Sequence, residues 1–187
     1  YESSLEIMEK IGDKRGMVKS LKNLGTIYHY QGEFERAIEL KRRSLRMSQE
    51  IDDEELTLNI RCALNEVFVA QGKIELALEN GKKVLERSKK IDALAVEGLA
   101  RRTLGAAYRE KGAYKHAEKE FQRARQSLDE TGNSKEFTKV IYEYAFLFKK
   151  MGETKKFEGH MKGALKNFRE MNMNWWKNKV EKALREI

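Results

Sequence analysis

Three histidines, one cysteine and several acidic pairs are the side chains in this 187-residue sequence that could carry chemistry by themselves. A metal centre needs three or four nitrogen, sulfur or carboxylate ligands brought together, which on one helix shows as His-Glu-x-x-His. His29, His116 and His160 lie far apart, and none sits in that pattern. A catalytic thiol needs a base and a cationic setting. Cys62 has only His29 as a candidate base, so it reads as an inert thiol. Gly132-Asn133-Ser134-Lys135 lacks the spacing of a phosphate-binding loop and reads as a turn. Asp52-Asp53 and Glu54-Glu55 stand at an expected helix start, where negative charge suits the macrodipole. No catalytic, metal or cofactor constellation emerges, and the expectation is a protein that is not an enzyme. Positive charge remains as the chemical signal: 38 Lys and Arg against 30 Asp and Glu, a formal net charge of +8.

Charged residues make up 36% of the chain and hydrophobic ones 40%, too much charge for a thick two-layer core. One cysteine excludes a disulfide framework and suggests a reducing compartment, so a cytoplasmic protein is expected. No run of about 18 apolar residues occurs, and no membrane span is expected.

The elements that must position those cations repeat. Gly32, Gly72, Gly112 and Gly152 are spaced by 40 residues each time. Four places earlier stand Tyr28, Phe68, Tyr108 and Phe148; seven earlier stand Gly25, Asn65, Gly105 and Ala145. Five places later stand Ala37, Ala77 and Ala117, with Phe157 breaking the series. Leu21, Leu24, Ile27 and Tyr28 share the spacing of one helical face, and Gly32 ends that helix. Phe34, Ala37, Ile38, Leu45 and Met47 carry a second helical pattern. The spacing predicts helix pairs over 17–30 and 34–50, 57–70 and 74–90, 97–110 and 114–130, and 137–150 and 154–170. Polar turns at Gly12-Asp13, Asp52-Asp53, Asp92 and Gly132-Asn133 join the pairs. No segment alternates with period two, so no sheet is expected. The aromatics at 28, 68, 108 and 148 are expected to pack in the core.

Leu24-Gly25-x-x-Tyr28-x-x-x-Gly32-x-Phe34-x-x-Ala37 resembles the tetratricopeptide repeat signature, as do the copies from Leu104 to Ala117 and, more weakly, Leu64 to Ala77. The 40-residue unit, longer than the usual 34, is similar to the repeats of kinesin light chain, Pins-type signalling modulators and some bacterial sensor domains. The resemblance implies an all-α class, a right-handed α-α superhelix of about four and a half helix pairs. It divides a single solenoid domain, 1–187, into a second helix of a truncated repeat (1–13), repeats over 14–52, 53–92, 93–132 and 133–172, and a capping helix (174–187). The chain is thus expected to be a fragment of a longer protein. Leu5, Met8 and Ile11 would then form an unpartnered apolar face suited to self-association. At the C-terminal end, Asn174 is expected to cap a helix whose Trp176, Val180, Leu184 and Ile187 share one face, burying at least one of Trp175 and Trp176.

By the same resemblance, a groove is lined by the first helix of every pair. Its residues would include Lys19, Lys22, Tyr30, Asn59, Arg102, Arg109, Lys139, Tyr142, Phe146 and Lys149. Across the full set of groove places, seven basic residues stand against two acidic, Glu66 and Glu110. Lys22, Arg102, Arg109 and Lys139 would supply charge, Asn59 would bond a ligand backbone, and Tyr142 and Phe146 would take its apolar side chains. Rows of cations in a curved wall attract acidic segments. The expected function is therefore a protein-interaction scaffold binding an acidic peptide or protein segment in a basic groove. Two other readings stay open: a nucleic-acid-binding accessory module, suggested by the charge, and a peptide-sensing domain of a signalling or transcription regulator. The five-residue carboxylate clamp of chaperone-binding members would fall on Lys22, Thr26, Ala63, Leu99 and Thr103, where only Lys22 fits.

Overall fold

The computed structural model describes residues 2–186, with side chains from residue 5 onward. All elements among them are helices: α1 (Glu2–Ile11), α2 (Lys14–Gln31), α3 (Phe34–Glu50), α4 (Glu54–Ala70), α5 (Ile74–Lys90), α6 (Leu94–Glu110), α7 (Tyr114–Glu130), α8 (Ser134–Lys150), α9 (Thr154–Glu170) and α10 (Asn174–Arg185).

A backbone rule with half the sequence period organises them. Residues 12, 32, 52, 72, 92, 112, 132, 152 and 172 all take positive φ, one between each helix and the next. At Gly32, φ is 83°, and the following Glu33 N–H reaches back to Tyr28 O at 2.9 Å. The left-handed residue turns the chain and satisfies carbonyls that the helix leaves without partners. Six of these positions are glycine, whereas Asp52, Asp92 and Asn172 hold the strained conformation with a side chain. Replacing both aspartates, Asp52→Gly with Asp92→Gly, should raise the thermal midpoint by about 2–4 °C for a net gain of roughly 1 kcal/mol. Scanning calorimetry of the double variant checks this.

The first helices of the pairs start three residues earlier than the spacing predicted, at Lys14, Glu54, Leu94 and Ser134. At three of the four the cause is capping directly after the turn: Asp13 accepts from Gly16 N–H at 2.8 Å, Asp53 from Leu56 N–H at 2.9 Å and Asn133 from Glu136 N–H at 3.3 Å. The second helices coincide with their expected bounds.

The chain divides into two compact units, Tyr1–Val96 and Glu97–Ile187. In the first, α1 packs on α2, α2 on α3, α3 on α4 and α4 on α5. The buried row of α3 is Ala37, Lys41, Ser44 and Ser48, more polar than its apolar pattern suggested. Leu45 and Met47 pack instead against Val18, Leu56 and Ile60. Ser44 fits because its hydroxyl donates to Val18 O at 2.7 Å. Lys41 is fully buried; its stem passes beside Gly25, where a Cβ would come within 2.9 Å of it, and its ammonium donates to Thr26 Oγ1 at 2.9 Å. Asn65, standing where other copies have glycine or alanine, donates to Ala77 O at 2.7 Å and so fits the helix crossing. On α1, Met8 and Leu5 are half-buried, with Met8 Sδ accepting from Ser20 Oγ at 3.3 Å. The exposed apolar residues of α1 are Ile7 and Ile11, which corrects the expected trio Leu5, Met8 and Ile11.

In the second unit, α7 packs on α8, α8 on α9 and α9 on α10. Size exchange shapes its core. A Cβ on Gly105 would meet the Phe121 ring at 2.8 Å, and one on Gly98 would meet Leu128 at 2.6 Å. Phe121 stacks on Tyr144 with centroids 5.5 Å apart, and Tyr144 stacks on Phe148 at 4.8 Å. Phe68 and Phe148 are buried and Tyr28 and Tyr108 half-buried, in keeping with their expected packing role. Asn174 is the first residue of α10 and not its cap, because the turn is made by Asn172 at φ 54° and the capping position falls on Met173. Trp176, Val180 and Ala183 are buried, Leu184 is half-buried and Trp175 is exposed; Ile187 lies outside the described residues.

Candidate functional site

The first helices of the pairs, together with α10, carry two groups of side chains, one in each unit. In the first unit, α2 and α4 hold a pocket of about 280 Å³ that Lys19, Lys22 and Asn59 line together. Lys22 Nζ donates to Asn59 Oδ1 at 3.0 Å, so these two expected site residues touch. Lys19 is exposed beside them. Arg15 closes one edge by pairing with Asp53 at 2.8 Å. Tyr30 is not part of this pocket; it is half-buried in the last turn of α2, with its ring 5.2 Å from that of His29.

In the second unit, α6, α8 and α10 bring six expected residues onto one face. Tyr142 is buried there, edge-on to Phe146 at 5.0 Å and to Trp176 at 5.3 Å. Trp176 stacks on Phe168 of the core at 5.3 Å, which fixes the floor. Cations cross this aromatic floor. The Arg109 guanidinium lies 5.8 Å from the Phe146 centroid, and Lys139 Nζ lies 5.5 Å from that of Trp176. Lys179 Nζ is within cation–π range of three rings: Trp175 at 4.9 Å, Trp176 at 5.2 Å and Tyr142 at 5.5 Å. Lys149 is exposed and lies over Phe157 at 5.3 Å.

The same face holds carboxylates that the charge count left out. Glu136 pairs with Lys139 at 2.7 Å and with Arg102 at 3.4 Å. Glu143 accepts from Arg109 Nη1 at 2.8 Å, while Arg109 also donates to the Glu143 carbonyl at 2.9 Å and to Glu110 at 2.9 Å. Burial alone would raise the Glu143 carboxyl. The charge and hydrogen bond of Arg109, with the fields of Arg102 and Lys179, outweigh this and hold it below the ordinary carboxylate range. Burial pulls Lys179 below the usual lysine range, partly offset by Glu143. Counting cations alone therefore overstates the positive charge of this face. The Glu136–Lys139 pair was legible as an i,i+3 spacing. Lys179 and Trp176 were not, because α10 reads as a cap until it is seen beside α8.

Burial pushes the Tyr142 hydroxyl strongly upward, and Tyr144, which donates to Glu118 at 2.9 Å, is raised to about 12 by burial first and this bond second. A raised folded-state value means that stability is intact below the unfolded tyrosine value of about 10 and is lost as pH climbs through the folded one. Two of the seven tyrosines should therefore stay protonated at pH ~11 in the native protein and ionise only on unfolding. An alkaline absorbance titration of tyrosinate, with and without denaturant, reads this directly.

Among the described residues no group of three His, Cys, Asp or Glu is placed to hold a metal ion, and no helix is long and apolar enough to cross a membrane.

The architecture has relatives. The tetratricopeptide repeat family model matches residues 1–50 and 23–90. No curated protein matches the sequence. Among solved structures, a Rap protein complexed with Competence and Sporulation Factor has TM-score 0.71 and 14% identity, covering 85% of this chain and 44% of its own. BtubC (BKLC) from P. vanneervenii has TM-score 0.66 and 16% identity over 90% of this chain and 71% of its own. A Podosopora anserina structure of nearly identical TPR-like repeats has TM-score 0.57 and 14% identity, covering 90% and 93%. The chain thus spans under half of the Rap protein it matches. With the 40-residue helix pairs described above, these likenesses give the chain a tetratricopeptide-repeat-like fold of the all-α superhelical class, the family model itself matching within residues 1–90.

Proposed function

We propose that this chain is a cytoplasmic protein-interaction scaffold that receives an acidic segment of another polypeptide, or of its own, on the first-helix faces. It works by binding and not by catalysis. The observation that carries the reading is the second unit's face, where Arg109, Lys139 and Lys179 lie across the rings of Phe146, Trp176 and Tyr142. Cations there meet carboxylates while the rings between them meet apolar side chains, the two components of an acidic amphipathic segment. Both are mounted on paired helices, so little ordering cost accompanies binding. In the first unit, Lys19, Lys22 and Asn59 add a polar pocket of the size of one or two side chains. A Rap protein of related fold was solved complexed with a bound factor, a precedent for the fold as a receptor.

The test is a titration with a glutamate-rich peptide containing phenylalanine. Trp175 and Trp176, the only two tryptophans, both stand on α10 and report binding at the second unit's face. Replacing Lys19, Lys22 and Lys139 together by glutamine should weaken binding about tenfold at low salt and flatten its salt dependence. Unchanged affinity at low salt would remove the reading.

A further inference from the structure

On the second unit's face, a carboxylate that belongs to the chain itself, Glu143, is held by Arg109 at 2.8 Å. It lies in the fields of Lys179 and of Arg102, whose own ion pair is with Glu136 at 3.4 Å. The equivalent places in the other repeats are Asn23, Ala63 and Thr103, so the fourth repeat alone puts an acid here. Repeat packing does not require one. The pair is not sealed in the core: side-chain exposure is 10% for Arg109 and 23% for Glu143. It therefore borders the surface that holds Tyr142, Phe146 and Lys179.

We propose that Arg109, Arg102 and Lys179 form a carboxylate-receiving site for an acidic polypeptide segment, and that Glu143 is its built-in competitor, occupying the site until a ligand carboxylate displaces it. This rests on the reading of the chain as a scaffold for an acidic segment. The occupant shows which chemistry the cations accept. A ligand side chain that takes over the Arg109 hydrogen bond replaces one charge-assisted contact by another, so its net gain is small. Without Glu143, the partly buried guanidinium lacks its main counter-charge, and an incoming carboxylate recovers the full interaction. Glu143 thus sets the threshold that a ligand must exceed: one isolated acid does not displace it, whereas a segment bringing several acids and apolar side chains does.

The experiment compares the unchanged protein with Glu143→Gln, which keeps the shape and removes the charge. A short polyglutamate peptide is the probe and tryptophan fluorescence the signal. Glu143→Gln should bind the peptide about tenfold or more tightly, with a steeper salt dependence. Adding Arg109→Gln to it should cancel that gain, since this double variant leaves neither member of the pair charged. A lower thermal midpoint in Glu143→Gln with no gain in affinity would make Glu143 a purely structural partner and overturn the proposal. So would equally tight binding of free glutarate, which would make this a small-anion site. If Glu143→Gln fails to fold, Glu143→Asp, whose shorter carboxylate holds Arg109 less well, should show a several-fold gain, and no gain overturns the idea. The outcomes also separate this inference from the wider reading. Peptide binding by the unchanged protein without improvement in Glu143→Gln removes the competitor and leaves the scaffold; binding confined to Glu143→Gln keeps the competitor and removes the scaffold.

Discussion

Phe121→Ala should lower the thermal unfolding midpoint by roughly 10 °C, from a loss of about 3–5 kcal/mol. Phe121 has no exposed surface, and its ring stacks on Tyr144. It occupies the space opened by the missing side chain of Gly105, where a Cβ would approach to 2.8 Å. Truncation leaves a cavity that paired helices, fixed at both ends by left-handed turns, close only in part. Gly105→Ala alone should also destabilise, by about 1–3 kcal/mol, through overpacking against the same ring. Combined, the two changes should cost less than their sum, because the new methyl enters the cavity. Urea denaturation of the four proteins completes the cycle. Strict additivity would show that the two positions do not share the space assigned to them.

Arg109→Ala should cost about 3 kcal/mol at neutral pH, since it leaves the partly buried Glu143 without its nearest counter-charge. The pH dependence carries the sign. Glu143 is depressed in the folded state, so the stability it contributes is present above the unfolded carboxylate value and lost as pH falls through the folded one. The gap between unchanged protein and Arg109→Ala should therefore be widest near neutrality. It should narrow as pH falls past the ordinary carboxylate range, where Glu143 in turn protonates and the pair is lost from the unchanged protein as well. Denaturation midpoints at neutral and acid pH measure it. A gap that stayed constant would assign the effect to lost packing of the Arg109 stem on Phe146 rather than to charge.

The repeat, its register and its helix-pair class were legible in the sequence because each rests on local geometry. A left-handed residue turns the chain from each helix into the next, and glycine at 32, 72, 112 and 152 supplies it at every second turn. The alternate turns do the same with Asp52, Asp92 and Asn172, and with glycine at 12 and 132. The 40-residue period therefore conceals a structural period of half that length. Side chains on an apolar helical face recur at 3.6-residue spacing whatever the neighbour is, and so the core aromatics could be placed from the sequence.

Contacts between elements decided the rest. Lys41 stands where Phe121 and Met161 stand in later copies, and only the gap at Gly25 and the Thr26 hydroxyl explain a lysine there. Expected cations at 102, 109 and 139 do share one face, but their electrostatic character depends on Glu136, Glu143 and the aromatic box around Lys179. Near neighbours along the chain were enough to place the helix pairs, the turns between them and the core aromatics, since each follows from local geometry. The buried rows of α1 and α3, by contrast, were not read correctly from their patterns. Which charges meet is set by helix packing, because an ion pair spanning α6 and α8 joins residues that lie 34 positions apart.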